Sequence, residues 1–530
     1  MTTPTQEQRA PLAERALLIR NALVVPLPGG SAGLADSPAE RHAGEKPVDI
    51  RIAAGVITEV GPSLVSHGED ELDAAGRWAI PGLWDQHVHF LHWARARGWL
   101  DVADSASQDD VVDTVRAHVA TSTTDPDQVL IAFGYRAALW PAPASVPDLD
   151  AVSAGRPVIA IAGDAHNGWL NTRAQRMLGV GPFTTAVSEN AWFEINARLP
   201  ELPGFEPQQA DLVATVSAMA AQGLTGIVDL DFRDAFTAWP RRVASGLNVI
   251  RVSAGVYPEQ LDEAVALGVE TGGALPGGDG LITMGPLKII TDGSLSTRTA
   301  WCCAPYTDAP AGARNAAGAP NVTADRLDDL IATATAHGLA VTAHAIGDRA
   351  NEGVLDAFAR AGIGGRIEHA QLLRCDDIGR FAELGVTASV QPAHLLDDRD
   401  TAERCWADRT ARCFPLRSLL AAGVDVVFGS DGPVSPVDPW LEMAAAVHRS
   451  ADEREGWHEE QSLSPAEALA CSVDGQRLEP GCRGDVVLLG ADPLAPASSP
   501  REAAEILRTM SVAATVCAGR VTYCEEHPSR

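Results

Sequence analysis

The chain has 530 residues, 46% of them hydrophobic, and a formal charge of −29. At several times the roughly 150 residues of one small domain, it must hold a large core or more than one unit. The acidic excess disfavours nucleic acid or an anionic membrane surface as the main partner.

Residues 1–15 lack the basic and apolar regions of a secretory leader. No apolar stretch approaches the ~20 residues of a membrane span. The nine scattered cysteines suit reduced thiols better than a disulfide framework. A cytoplasmic location is the expectation.

Residues 16–26, 48–53 and 56–60 read as short strands with no helix between them, and 27–47 as an exposed loop rich in Gly, Pro, Ala and Glu. Residues 78–89 read as the next strand. A segment over 95–220 follows, with strands of its own at 129–135 and 157–162. A pattern then recurs: a helical stretch, a glycine, and a short apolar run. Its glycines are Gly223, Gly246, Gly338, Gly362, Gly385 and Gly423. Glycine just past a helix can take the left-handed cap conformation, and the run after it suits a buried strand. Thr323 and Ser464 read as helix N-caps, Ser464 in a capping box with Glu467.

Strands at 225–232, 249–256, 284–292, 339–345, 366–370, 386–392 and 424–431 join the one at 78–89 to make eight. Eight parallel strands alternating with helices predict an α/β fold, a (β/α)₈ TIM barrel, provided that 95–220 is an insertion after the first strand. A doubly wound open sheet is the rival. Strands at 484–490 and 513–524 are expected to pair with the N-terminal ones in a small β-sandwich. The predicted division is 1–77 and 481–530 for the sandwich and 78–480 for the barrel.

The chemistry gathers at strand ends. His87 and His89 stand two apart on the first strand, so both rings can face one metal. His344, His369 and Asp431 each lie at or near the end of a later strand. In a barrel these ends converge on one face, and four histidines with a carboxylate suit a borderline ion such as Zn²⁺. Only two of the 41 basic residues are lysine, Lys46 and Lys288. Lys288 sits within the apolar run 285–290, where burial favours the neutral amine. Such an amine can capture CO₂ as a carbamate, an anionic ligand able to bridge two metals. Alternatively, Lys288 pairs with Asp292 or Asp431.

These residues carry a resemblance. The stretches PGLWDQHVH (81–89), GPLKIITDGSLSTRTA (285–300), TAHAIGDRAN (342–351), RIEHAQ (366–371), SVQPAH (389–394), GSDGPV (429–434) and GDVVLLGADP (484–493) resemble, in order, those of the metal-dependent amidohydrolase superfamily. The branch is the one that includes N-substituted formamide deformylase. The resemblance implies one or two divalent metal ions, zinc before others. It implies His87 and His89 on one metal, His344 and His369 on another or completing the site, and Lys288 as the N6-carboxylated bridge. Asp431 is implied as metal ligand and general acid/base. Trp84, Gln86 and Tyr135 depart from the usual pattern, and Tyr135 stands in the expected substrate pocket.

Less decisive residues follow. His394 could polarise the substrate or serve only its loop. His166, within Asp164–Asn167, resembles a pocket-lining segment. Arg298 and Arg349 could grip a substrate carboxylate or pair with acidic side chains. Asp292 and Asp348 could hold ligand histidines from behind. The expected reaction is metal-dependent hydrolysis of a non-peptide C–N bond in a small amide, N-formyl compound or cyclic amide. A deaminase, an esterase or lactonase, and a non-catalytic metal-binding scaffold are the alternatives, and a homodimer is a family-level expectation.

Overall fold

The structure, a computed structural model, describes residue 12 and residues 15–27, 46–137 and 140–525. The expected loop over 27–47 falls on residues 28–45, outside the described residues.

Eight parallel strands lie side by side in chain order: β1 (Leu83–Val88), β2 (Leu224–Asp229), β3 (Arg251–Val256), β4 (Ile282–Ile290), β5 (Val341–Ala345), β6 (Gly365–His369), β7 (Val386–Val390) and β8 (Val426–Phe428). Past β8 the chain reaches back to β1. Val88 bridges Gly432 in parallel, and the Asp431 N–H donates to the His87 carbonyl at 2.6 Å. The sheet is thus nearly a closed barrel. The repeated glycines explain why helix and strand alternate so cleanly. All six have positive φ, from 66° at Gly362 to 100° at Gly246, where a side chain would be strained. Each ends a helix and turns the chain into the next apolar run. Ile282, Met284, Leu287 and Ile289 of β4 are at most 2% exposed, as expected of a strand covered on both faces. The two predicted caps are present: Thr323 accepts from the Arg326 N–H, and Ser464 and Glu467 form the capping box.

The predicted strand over 78–89 is in fact two. Trp78–Pro81 pairs with Val486–Leu489 in the terminal sheet, and β1 starts only at Leu83. Gly82 makes the switch. A Cβ there would stand 2.1 Å from Thr225 Oγ1 and 2.8 Å from Asp485 Cβ, so two sheets meet at a point that admits no side chain.

Strands from both ends of the chain share one sheet. Ala16–Val24 pairs with Val48–Ala53 on one side and with Trp78–Pro81 on the other. Leu17, Ile50, Ile52, Val486, Leu488 and Val516 pack in a common core. A helix that the sequence reading passed over, Pro500–Arg508, instead lays Ala503, Ala504 and Leu507 into the barrel's core.

Between β1 and β2 the chain builds a third sheet. Its order is Val187–Ser188, Asn167–Leu170, Val158–Ala162, Leu130–Tyr135, Leu100–Asp101. Two of these five were legible as strands; the others are too short or too polar to show a period. Alternation assigns its faces. Ala132, Val158 and Ala160 join Val111 and Val115 of the helix Gln108–Thr121. Ile131, Ile159 and Ile161 join Trp192 and Ile195 of Glu189–Asn196.

The join of β8 to β1 yields a first prediction. A Cβ on Gly429 would stand 2.4 Å from the His87 backbone nitrogen and 2.9 Å from its Cβ. Gly429→Ala should therefore cost about 1–3 kcal/mol by overpacking and displace His87. A urea unfolding midpoint equal to wild type would contradict this.

Candidate metal centre

The strand ends deliver the expected residues to one cavity of about 490 Å³. His87, His89, Lys288, His344, His369, His394 and Asp431 all line it, and each is at most 8% exposed. Two imidazoles converge on one oxygen: Asp431 Oδ1 lies 3.3 Å from His87 Nε2 and 3.1 Å from His89 Nε2. Lys288 Nζ lies 3.5 Å from His87 Nε2. The His369 ring stands 5.2 Å from that of His87 and 4.6 Å from that of His344. His87, His369 and Asp431 can place one ligand atom each within 4.8 Å of one another.

Backbone geometry contributes what spacing cannot. His369 has φ 73° and Asp431 φ 55°, a region that costs a non-glycine residue about 1–3 kcal/mol and is found at functional sites. In a regular strand Glu368 and His369 would face opposite ways. The left-handed turn at His369 lets both meet His87: Glu368 Oε2 is 2.9 Å from His87 Nδ1.

Protonation suits a cation. Burial, with Lys288 adding to it, pushes His87 down to about 4, and burial beside His344 holds His369 well below the usual histidine range. Burial alone would raise Asp431, but His87, His89 and His369 around it hold it well below the usual carboxylate range. Neutral imidazole and ionised carboxylate are the forms that bind metals. Burial brings Lys288 down to about 8, which leaves a usable neutral fraction at neutral pH. His369 Nδ1 and His89 Nδ1 are buried without hydrogen-bond partners. Nitrogen and carboxylate donors set this close fit a borderline divalent ion.

Behind these groups stand residues that sequence reasoning missed. Glu368, fully buried, accepts from Thr342 Oγ1 at 2.6 Å and Arg366 Nε at 2.8 Å. It thereby directs His87 Nδ1 away from the cavity. Asp85 receives the Ser430 and His87 N–H groups at 3.0 and 3.1 Å, and burial raises it to about 6. Both lie inside quoted motifs, and their i, i+2 spacing from Arg366 and His87 was the available signal. Asp292 accepts from His344 Nδ1 at 3.0 Å and from three backbone N–H groups. Glu368→Gln should weaken divalent binding about 10–100-fold; an unchanged dissociation constant by competition with a chelating dye would dismiss this role.

Several expected site residues sit elsewhere. Arg298 is held by Asp308 at 2.7 Å and does not line the cavity. Arg349 lies at the surface, paired with Glu352 at 2.6 Å and half exposed. Neither is placed to grip a substrate, because each guanidinium has a nearer carboxylate on its own stretch of chain. Asp348 receives the Cys303 N–H and Arg412, and bonds to none of the cavity histidines among the described residues. Tyr135 and His166 do line the cavity, Tyr135 donating to Asn167 and His166 facing Glu189 at 3.3 Å.

Comparison with known proteins places the fold and the family. A solved metal-dependent hydrolase of Pyrococcus horikoshii, itself uncharacterised, superposes with a TM-score of 0.73 at 24% identity, over 91% of this chain and 98% of its own. LONG AFTER FAR-RED 3 of Arabidopsis thaliana is 25% identical over 499 residues, 83% of each chain. N-substituted formamide deformylase of Arthrobacter pascens is 23% identical over 517 residues, 87% of this chain and 92% of its own. The sequence profile of the amidohydrolase family matches residues 70–523. Spanning the barrel, the inserted sheet and most of the terminal strands, that match shows that the chain belongs to the amidohydrolase family.

Proposed function

We propose that the protein hydrolyses a non-peptide C–N bond, in an N-formyl compound, another small amide or a cyclic amide. One observation carries the reading: His87 and His89 converge on one oxygen of Asp431 in the cavity, with Lys288 beside them. The deformylase relative supports the C–N assignment.

His87, His89, His344, His369 and Asp431, with Lys288 once carboxylated, are the residues that would hold one or two divalent ions, zinc first. When bound, such an ion supplies Lewis acidity, lowering the pKa of a water toward neutrality and polarising the scissile carbonyl. Asp431 takes the proton of the attacking water and returns it to the leaving nitrogen, which cannot depart as an amide anion. No nucleophilic serine or cysteine is required. His394 stands 3.8 Å from Asp431 with its Nε2 otherwise unpartnered, placed to donate to a substrate carbonyl. Asp292 and Glu368 fix which nitrogen His344 and His87 present. Lys288, losing a proton as its neutral amine adds to CO₂, becomes an anionic carbamate.

Metal analysis of the purified protein is expected to find one or two equivalents of divalent ion. Chelation should abolish hydrolysis of at least one substrate in a panel of N-formyl, N-acyl, hydantoin-like and aminopurine compounds, and zinc should restore it. Protein without metal, inert to every amide after reloading, would defeat the proposal; release of ammonia from aminopurines alone would transfer the site to deamination.

A further inference from the structure

The charge around the cavity is uneven. Its walls carry Asp164, Glu189, Asp397, Asp398 and Asp400. Among the described residues Arg136 is the one guanidinium on the lining, and Asp397 holds it at 2.8 Å. Arg454 holds Asp400 at 2.6 Å, and His166 faces Glu189. Asp164 and Asp398 have no cation of this kind among the described residues. Asp164 accepts from the Ser296 hydroxyl and the His166 N–H, and Asp398 accepts from the Gln371 amide at 2.8 Å. They come from separate parts of the chain, Asp164 from the inserted sheet and Asp398 from the helix His394–Cys405 after β7.

Two observations point to a substrate in this cavity, one at its reacting end and one on its walls. His394 Nε2 is buried and lacks a hydrogen-bond partner, although the residue is 8% exposed and lines the cavity; a buried polar atom of this kind calls for one. Phe193, Phe232 and Tyr257 line the same space, and Phe232 is 40% exposed while stacking on His89. An exposed aromatic face in a space lined by carboxylates that no ion pair holds attracts organic cations.

Building on the hydrolytic reading above, we propose that the cavity selects amides whose group distal to the scissile bond is an organic cation, drawn to Asp164 and Asp398 and to the aromatic walls. A distal carboxylate meets chiefly like charge, since Arg136 and His166 are already paired with Asp397 and Glu189.

The probes are N-formyl-2-phenylethylamine and its 4-aminomethyl and 4-carboxy derivatives, offered to the metal-replete enzyme. The ammonium compound should exceed the carboxylate in kcat/KM by about tenfold or more, mainly through KM. In the Asp164→Asn/Asp398→Asn double variant the ratio of ammonium to neutral compound should fall toward one. Turnover that favours the carboxylate, or that ignores charge, overturns the selection while leaving hydrolysis intact. If none of the three is hydrolysed, calorimetric binding of the same probes decides: tighter binding of the ammonium compound keeps the selection and removes the reaction, and equal binding removes the selection too.

Discussion

Asp431→Asn is expected to lower kcat about a thousandfold while divalent metal content stays near that of wild type. The argument rests on what the substitution keeps. Asparagine retains an oxygen where Asp431 faces His87 and His89, 3.3 and 3.1 Å away. It also tolerates the left-handed backbone that Asp431 adopts at φ 55°, being with aspartate among the residues that visit this region. The Asp431 N–H bond to His87 that joins β8 to β1 is a backbone bond and survives. What is lost is the ability to accept a proton from water and pass it to the leaving nitrogen. Parallel measurement of kcat and of metal content by mass spectrometry separates chemistry from assembly. A variant that keeps both activity and metal moves the proton role elsewhere, with His394 the nearest candidate; one that loses metal shows Asp431 to be chiefly a ligand.

Why the floor of the site was legible, and its surroundings only partly, follows from the physics of each. His87, His344, His369 and Asp431 could be placed because each stands at or just past the end of an apolar run, and the six glycine caps make those runs countable. Barrel architecture then brings the ends together without any tertiary detail. Glu368 was missed because a strand's alternation points it away from His369; only the φ of 73° at His369 reveals that both serve the same ring. Gly82 hid the break between two sheets, since an unbroken apolar run reads as one strand and the reason for the break is Thr225, far away in sequence. For Arg298 and Arg349 a substrate carboxylate and an acidic side chain were both open, because charge type predicts a partner but not which one. Asp308 and Glu352, ten and three residues along, were nearer than any substrate.

Lys288 is where composition and geometry meet, and Lys288→Arg should be nearly as damaging as the loss of Asp431. Arginine keeps positive charge and length, so a lysine present only to pair with a carboxylate should tolerate it. The structure offers such a pairing little support. The hydrogen-bonding neighbour of Lys288 Nζ is His87 Nε2 at 3.5 Å, and no carboxylate is in salt-bridge contact with it among the described residues. Burial instead lowers the amine to about 8, where CO₂ can be captured, whereas a guanidinium stays charged at any accessible pH and cannot form a carbamate. In a chain with 39 arginines and two lysines, one of the two lines this cavity. Lys288→Arg is therefore expected to lose divalent affinity and to drop kcat/KM by about a hundredfold or more. Wild-type apoprotein reloaded with zinc in CO₂-free buffer should stay nearly inactive until bicarbonate is added. The arginine variant should not respond to bicarbonate. A fully active Lys288→Arg enzyme, or reloading that is indifferent to bicarbonate, would return Lys288 to an electrostatic role beside His87 and leave the metal to the histidines and Asp431 alone.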